Sequence, residues 1–193
     1  MIVAYIREGQ HLVAQGHEAS ANDKFSSAFE VLVRHYQRAV VGFCVHMLRG
    51  SVDRVEDIAQ EVFLAAWKTM PQFRHEASIR TWVFAITRHH CWDAVRQMGP
   101  NDVADESGEG ARRETPAPVP PPDEQYAHHN LLAWVRRGLA RLHSDDREVL
   151  VMTYMTELPP ADIAHLLGIT EAGVRTRRKR ALQRLREIVT HED

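Results

Sequence analysis

Seven basic side chains, Arg175, Arg177, Arg178, Lys179, Arg180, Arg184 and Arg186, fall between Glu171 and Arg186, where Glu171 is the one acid. Cations at this density suit a polyphosphate. Each neutralised phosphate releases counterions, and an Arg fork matches the O6 and N7 edge of guanine. The neighbouring residues supply the frame such chemistry needs. In PADIAHLLGITEAGVRTRRKRALQRL, Ala164 is small enough for two helices to cross closely, and Gly168 sits at a turn that favours positive φ. Ile163, Leu167, Ile169 and Val174 are spaced to pack the two helices, and Thr170 is placed to cap the second through its hydroxyl. This is a helix-turn-helix pattern whose second helix is basic from its first turn onward, the part that enters a major groove. The charge run alone fits a solvated surface helix; the small residue, the turn glycine and the cap together favour DNA binding.

Two further stretches carry groups that can do work. In DRVEDIAQEVFLAAWKTMPQF, the residues Asp53, Glu56, Asp57, Gln60 and Glu61 line a polar helical face, while Ile58, Val62, Phe63 and Trp67 offer apolar contacts. Pattern alone makes this an ordinary solvated face. In SIRTWVFAITRHHCWDAVRQ, aromatic residues alternate with Arg and His. Unstacked bases can stack on such rings while the cations neutralise phosphates. At least one of Trp82 and Trp92 is expected in the core.

The elements that must position these groups follow from periodicity. Phe29, Leu32, Val33, Tyr36, Val40 and Phe43 recur in steps of three and four and predict a helix from Phe25 onward, punctuated at Gly50-Ser51. A second helix is predicted over about 52–70, with Val55, Ile58, Ala59, Val62, Phe63, Ala66 and Trp67 inward, ended by Pro71. A third covers about 78–97, capped by Ser78, with Trp82, Val83, Ile86, Trp92 and Val95 on its apolar face. Residues 98–122 hold six of the nine prolines, no aromatic residue and an acidic excess, and read as a stiff interdomain tether. Helices are then predicted over about 124–142, 145–156 with Ser144 as cap, 160–167 and 171–189. No strand pattern and no internal repeat is visible. The expected fold class is all-α: two small helical domains joined by a Pro-rich acidic linker, the second a helix-turn-helix domain. The divisions are a weakly patterned leader of unknown role (1–24), a first domain (25–97), the linker (98–122) and a second domain (123–190).

Composition bounds the rest. With 193 residues, 44% of them apolar, the chain can bury a core. A net charge of −2 argues against nucleic acid only as an average, because the acidic linker hides the basic helix. Two distant cysteines, Cys44 and Cys91, suit buried thiols in a cytoplasmic, reducing compartment. No apolar run approaches a membrane span, and the first residues do not read as a signal peptide. Twelve histidines raise a metal question, yet His89-His90-Cys91 and His128-His129 are adjacent residues that project about 100° apart on a helix. No metal or cofactor is expected. No nucleophile with a base partner, phosphate-cradling glycine loop or paired catalytic carboxylate stands out, so the chain is not expected to be an enzyme.

The three motifs, their order and the tether resemble a group IV, or extracytoplasmic-function (ECF), sigma factor of the sigma-70 family. The resemblance covers about 25–97 (region 2) and 123–190 (region 4). It implies that the helix with Asp53, Glu56, Asp57, Gln60, Glu61, Phe63 and Trp67 binds the β′ clamp helices of core RNA polymerase. It implies −10 element recognition and melting by the loop and helix over 73–96, through Phe73, Arg74, Arg80, Thr81, Trp82, Arg88, His89, Asp93 and Arg96. It implies −35 element recognition by Thr170, Glu171, Arg175, Thr176, Arg177, Arg178, Lys179 and Arg180, a region 4 contact to the β flap, and an anti-sigma factor as a further partner. Three positions depart from the family pattern: His89 stands where Asn is usual, Arg178 where an apolar residue is usual, and Pro159-Pro160 where a polar lead into the helix is usual. Two rival readings of the residues stay open. A stand-alone helix-turn-helix regulator needs dimerisation, and no coiled-coil heptads are visible for it. A sigma-mimicking adaptor that sequesters an anti-sigma factor has no need of the basic reading helix.

Overall fold

The computed structural model describes residues 1–49, 52–98 and 134–190, and every regular element among them is helical. The first domain contains α1 (Ile2–Ala14), α2 (Glu18–Met47), α3 (Val52–Thr69), a short 3₁₀ turn (Met70–Gln72) and α4 (Ile79–Gln97). The second contains α5 (134–141), α6 (Ser144–Met155), α7 (Pro160–Leu167) and α8 (Glu171–Thr190). The linker prediction and residues 123–133 of the predicted fourth helix lie outside the described residues. Among the described residues no helix is long and apolar enough to cross a membrane.

The long helix α2 organises the first domain. Its buried residues Ala21, Phe25, Ala28, Leu32, Tyr36, Val40, Phe43 and Met47 recur every three or four positions and form a stripe about 40 Å long. Helices α1, α3, α4 and, from the second domain, α6 all pack on α2. Phe43 meets Phe84 of α4 with ring centroids 6.0 Å apart. Beside them Cys44 and Cys91 are free, buried thiols with their sulfurs 3.5 Å apart. The hydrogen bond to Cys44, and then burial, raises the Cys91 thiol far above its ordinary range.

Three expectations change. The leader is not patternless: Ile2, Ile6 and Gly9 are buried at helical spacing, and α1 folds back on α2 through a turn at Gly16 with φ +80°. The first long helix therefore begins at Glu18, well before Phe25. On α4 the buried stripe is Thr81, Phe84, Thr87, Cys91 and Ala94, with Val83 beside it, while Trp82, Ile86, Trp92 and Val95 are half-buried. Two threonines stand inside that stripe because the Thr87 hydroxyl is satisfied by Val83 O at 2.9 Å and the Thr81 hydroxyl finds side-chain partners. Finally, α6 takes its N-cap from His143, whose ring accepts from Asp145 N–H, and Ser144 is the first helical residue.

Ser78 caps α4 as expected, its hydroxyl accepting from Thr81 N–H at 3.0 Å. Gly168 closes α7 with φ +65° and ψ +32°, the left-handed geometry that ends a helix. A side chain there meets no neighbour but forces a Cβ into that region. Gly168→Ala is expected to lower stability to urea unfolding by about 1 kcal/mol; an unchanged midpoint would show that the turn tolerates a Cβ.

Candidate nucleic-acid interface

The helix-turn-helix is built around that glycine. Past it, Ile169 N–H donates to Ala164 O at 3.0 Å, and the Thr170 hydroxyl accepts from Gly173 N–H at 3.0 Å, capping α8. Ile163, Ala164, Val174 and Ala181 are buried and fasten α7, α8 and the neighbouring helices together. Packing on that side turns Arg175, Thr176, Lys179 and Arg180 outward, and all four are exposed. Their spacing of one, three and one residues puts them in a single strip along the first turns of α8. Thr176 donates to Ala172 O, so its hydroxyl lone pairs face solvent. Glu171 is exposed in the first turn, and Arg177 and Arg178 are half-buried beside the strip. Arg178 thus rests its stem on the apolar side while its head stays accessible.

On α3 the polar face is also exposed, and Glu61 on it lies 3.3 Å from His90 Nδ1 of α4. Glu56, Asp57, Gln60 and Glu61 are exposed, while the side chain of Asp53 lies outside the described residues. Phe63 and Trp67 are half-buried, with the Trp67 ring edge-on to Phe29 at 5.3 Å. Sequence reasoning missed Leu64, which is 55% exposed one turn beyond Gln60 at the C-terminal end of this acidic face. Its signal was present, an apolar residue out of phase with the inward stripe.

The residues grouped over 73–96 divide into three sets. Phe73 is buried, its ring 5.2 Å from Trp82 and 4.7 Å from His75. With Gln72, Arg74, Thr81 and Trp82 it lines an open pocket of about 290 Å³, which His165 and Leu166 of α7 border from the other domain. A second set runs outward along α4: His89 pairs with Asp93 at 3.3 Å, and Arg96 pairs with the same carboxylate. The third set is held by the second domain. Arg88 pairs with Glu148 at 2.8 Å, and Trp92 Nε1–H donates to the same Glu148 oxygen. Thr81 donates to Asp162, and Arg80 donates to Thr156 O at 3.1 Å and pairs with Glu157. Arg80 also lies over the Tyr36 ring. Glu148, Glu157 and Asp162 were not singled out from sequence because their partners lie far away along the chain.

Two residue classes set the electrostatics of this contact. Glu148 is 2% exposed, and burial pushes its carboxyl above the usual range, opposed by the Trp92 hydrogen bond and by Arg88. Next to it Arg147 is 1% exposed and donates to Ala140 O. Burial, with Arg49 adding to it, lowers the Arg147 pKa to about 10.

The described helices define an all-α chain in which an acidic face, an aromatic and basic surface and a capped basic helix sit on two domains in that order. The sigma-70 region 2 family model matches residues 32–99, and the sigma-70 region 4 model matches residues 132–185. The chain is 30% identical to the ECF RNA polymerase sigma factor ShbA of Streptomyces griseus over 89% of this chain and 92% of that protein. It is 31% identical to the probable RNA polymerase sigma factor RfaY of Xanthomonas campestris over 80% of this chain, but spans only 38% of that longer protein. In fold it resembles the sigma factor RpoE of Bartonella quintana, solved in complex with the anti-sigma factor NepR. That match has a TM-score of 0.62 and 23% identity, and it covers 84% of this chain and 96% of that one. The chain belongs to the extracytoplasmic-function RNA polymerase sigma factors of the sigma-70 family.

The ion pair between domains yields a prediction with a definite sign. A buried carboxylate whose pKa is raised costs stability once it ionises, and Arg88 offsets that cost. Arg88→Ala should therefore lower stability by about 1–2 kcal/mol near neutral pH, discounted for the partly exposed guanidinium. The loss should shrink as pH falls from neutral into the carboxylate range, because the raised Glu148 pKa lets this carboxyl take up its proton before an exposed glutamate does. Urea unfolding across that pH range tests this; a loss that stays constant with pH would contradict it.

Proposed function

We propose that this chain binds core RNA polymerase, directs it to two-part promoters and assists strand opening, with the polymerase supplying the chemistry in the cytoplasm. The observation that carries this reading is the exposed strip Arg175, Thr176, Lys179 and Arg180 on a capped helix, within a chain of this family. That strip reads the −35 element: Arg and Lys neutralise phosphates, and an Arg fork or the Thr hydroxyl meets base edges. The face with Glu56, Asp57, Gln60 and Glu61, with Leu64 at its C-terminal end, docks on the β′ clamp helices; region 4 touches the β flap. The surface over 73–96 takes the −10 element once it is single-stranded. Trp82 supplies a π face, Arg74, Arg80, Arg88 and Arg96 supply cations, and the pocket wall formed by Phe73 and Trp82 accepts an extruded base once α7 has withdrawn from it.

His89 stands exposed at the outward edge of that surface, beside Asp93, and its ring nitrogens can donate or accept where Asn would offer an amide. The −10 preference is therefore expected to differ from that of relatives with Asn. In the arrangement described here Arg80, Thr81, Arg88 and Trp92 are occupied by groups of the second domain, so the domains part before these residues meet DNA. An anti-sigma factor is a fitting partner for a protein that exposes two functional faces and packs the third, and the complex of the Bartonella relative supports that class of partner.

Run-off transcription with reconstituted holoenzyme on genomic fragments is the test. Joint charge reversal, Arg175→Glu with Arg180→Glu, should leave core binding intact and cut promoter-specific initiation about 100-fold or more. Undiminished initiation would show that α8 does not read DNA and would favour an adaptor that sequesters an anti-sigma factor. Tight binding to duplex DNA without polymerase would favour a stand-alone regulator.

A further inference from the structure

The leader helix α1 precedes the region 2 match, which begins at residue 32, and no role above falls to it. Its placement is unusually specific. Ile2 and Ile6 are buried, and Gly9 lies so close to α2 that a Cβ on it would come within 2.8 Å of the Phe25 ring. This close seat brings the next residue, Gln10, against the loop that leads into α4. The Gln10 amide is fully used there. Its Nε2 donates to Pro71 O at 3.1 Å and to Phe73 O at 2.9 Å, and its Oε1 lies 3.1 Å from His75 Nε2.

The chemistry fixes the amide orientation. Two backbone carbonyls only accept, so the NH₂ end must face them, and the oxygen is left to accept from His75 Nε2–H. His75 then carries a proton on Nε2. Burial, with Arg7 adding to it, lowers the His75 pKa, which favours the neutral ring. His75 has φ +60°, a left-handed conformation that strains a residue carrying a Cβ and persists where surroundings hold it. The held loop in turn sets Phe73 between His75 and Trp82, and Phe73 and Trp82 line the pocket described above.

We propose that Gln10 is a positioning residue for −10 specificity: the leader helix clamps the 71–75 loop and so fixes the pocket that receives the extruded base. This rests on the assignment of that surface to the −10 element. Gln10 touches no DNA itself; it acts through Phe73 and His75.

The test uses the full chain with Gln10→Ala and, should that variant fold poorly, Gln10→Met, which keeps the stem and removes the polar atoms. Holoenzyme is assayed on promoters carrying each single-base change in the −10 and −35 elements. The expected result is a fall of about tenfold in discrimination among −10 variants, with the −35 profile and core affinity unchanged. Amide exchange on the free protein should accelerate over 73–77 and stay slow in α2. A wild-type −10 profile, or a loss spread evenly over both elements, would overturn the inference. Unchanged exchange over 73–77 would overturn the clamp itself. A wild-type holoenzyme that ignores −10 changes would overturn the promoter assignment, a result separable from the exchange readout.

Discussion

A carboxylate that is 2% exposed stays ionised only if other groups replace its water, and Glu148 finds those groups in the other domain. Arg88 supplies charge and Trp92 supplies an N–H, both from α4 of the first domain. The neighbouring Arg147 is also buried, donates to a carbonyl of its own domain, and loses basicity through that burial and the nearby charge of Arg49. Two ionisable groups at one seam make the contact between domains conditional. An apolar seam of the same size would gain simply by excluding water. This one depends on donors that water or a phosphate-rich ligand could equally satisfy or compete for.

That condition separates the three functional faces. The strip on α8 and the acidic face on α3 are exposed while the seam is closed, because neither borders it. The surface assigned to the −10 element does border it: Arg80, Thr81, Arg88 and Trp92 each bond to Thr156, Glu157, Asp162 or Glu148. The carboxylates among these partners present anionic oxygens to groups whose assigned ligand is also anionic. On the proposed assignment the same side chains serve two partners, and the two uses exclude each other.

How much of this was legible in the sequence depends on the range of the interaction. The capped basic helix was legible almost completely, since Thr170, Gly168, Ala164 and the basic strip all act within one short segment. The Ser78 cap was legible for the same reason, whereas the start of α2 and the cap of α6 were not. The α4 core was misjudged because its buried stripe includes Thr81, Thr87 and Cys91, residues that hydropathy treats as neutral or polar, while two tryptophans sit at its edge. The seam was not legible at all, because Glu148, Glu157 and Asp162 are ordinary acids until the fold brings α6 and α7 against α4.

The leader shows the same limit from the other side. It reads as weakly patterned in sequence because the buried contacts of α1 rest on few residues, one of them a glycine whose contribution is the absence of a side chain. A glycine in a helix interior costs about 1 kcal/mol relative to alanine, so Gly9 has to be offset by what the close approach permits. What it permits is the seat of α1 against Phe25 and, through it, the reach of Gln10 to two carbonyls and a histidine more than sixty residues away. A longer residue at position 9 would lift α1 from α2 and move the Gln10 amide off the loop. The position of the pocket beside Phe73 therefore depends on a hydrogen atom at position 9.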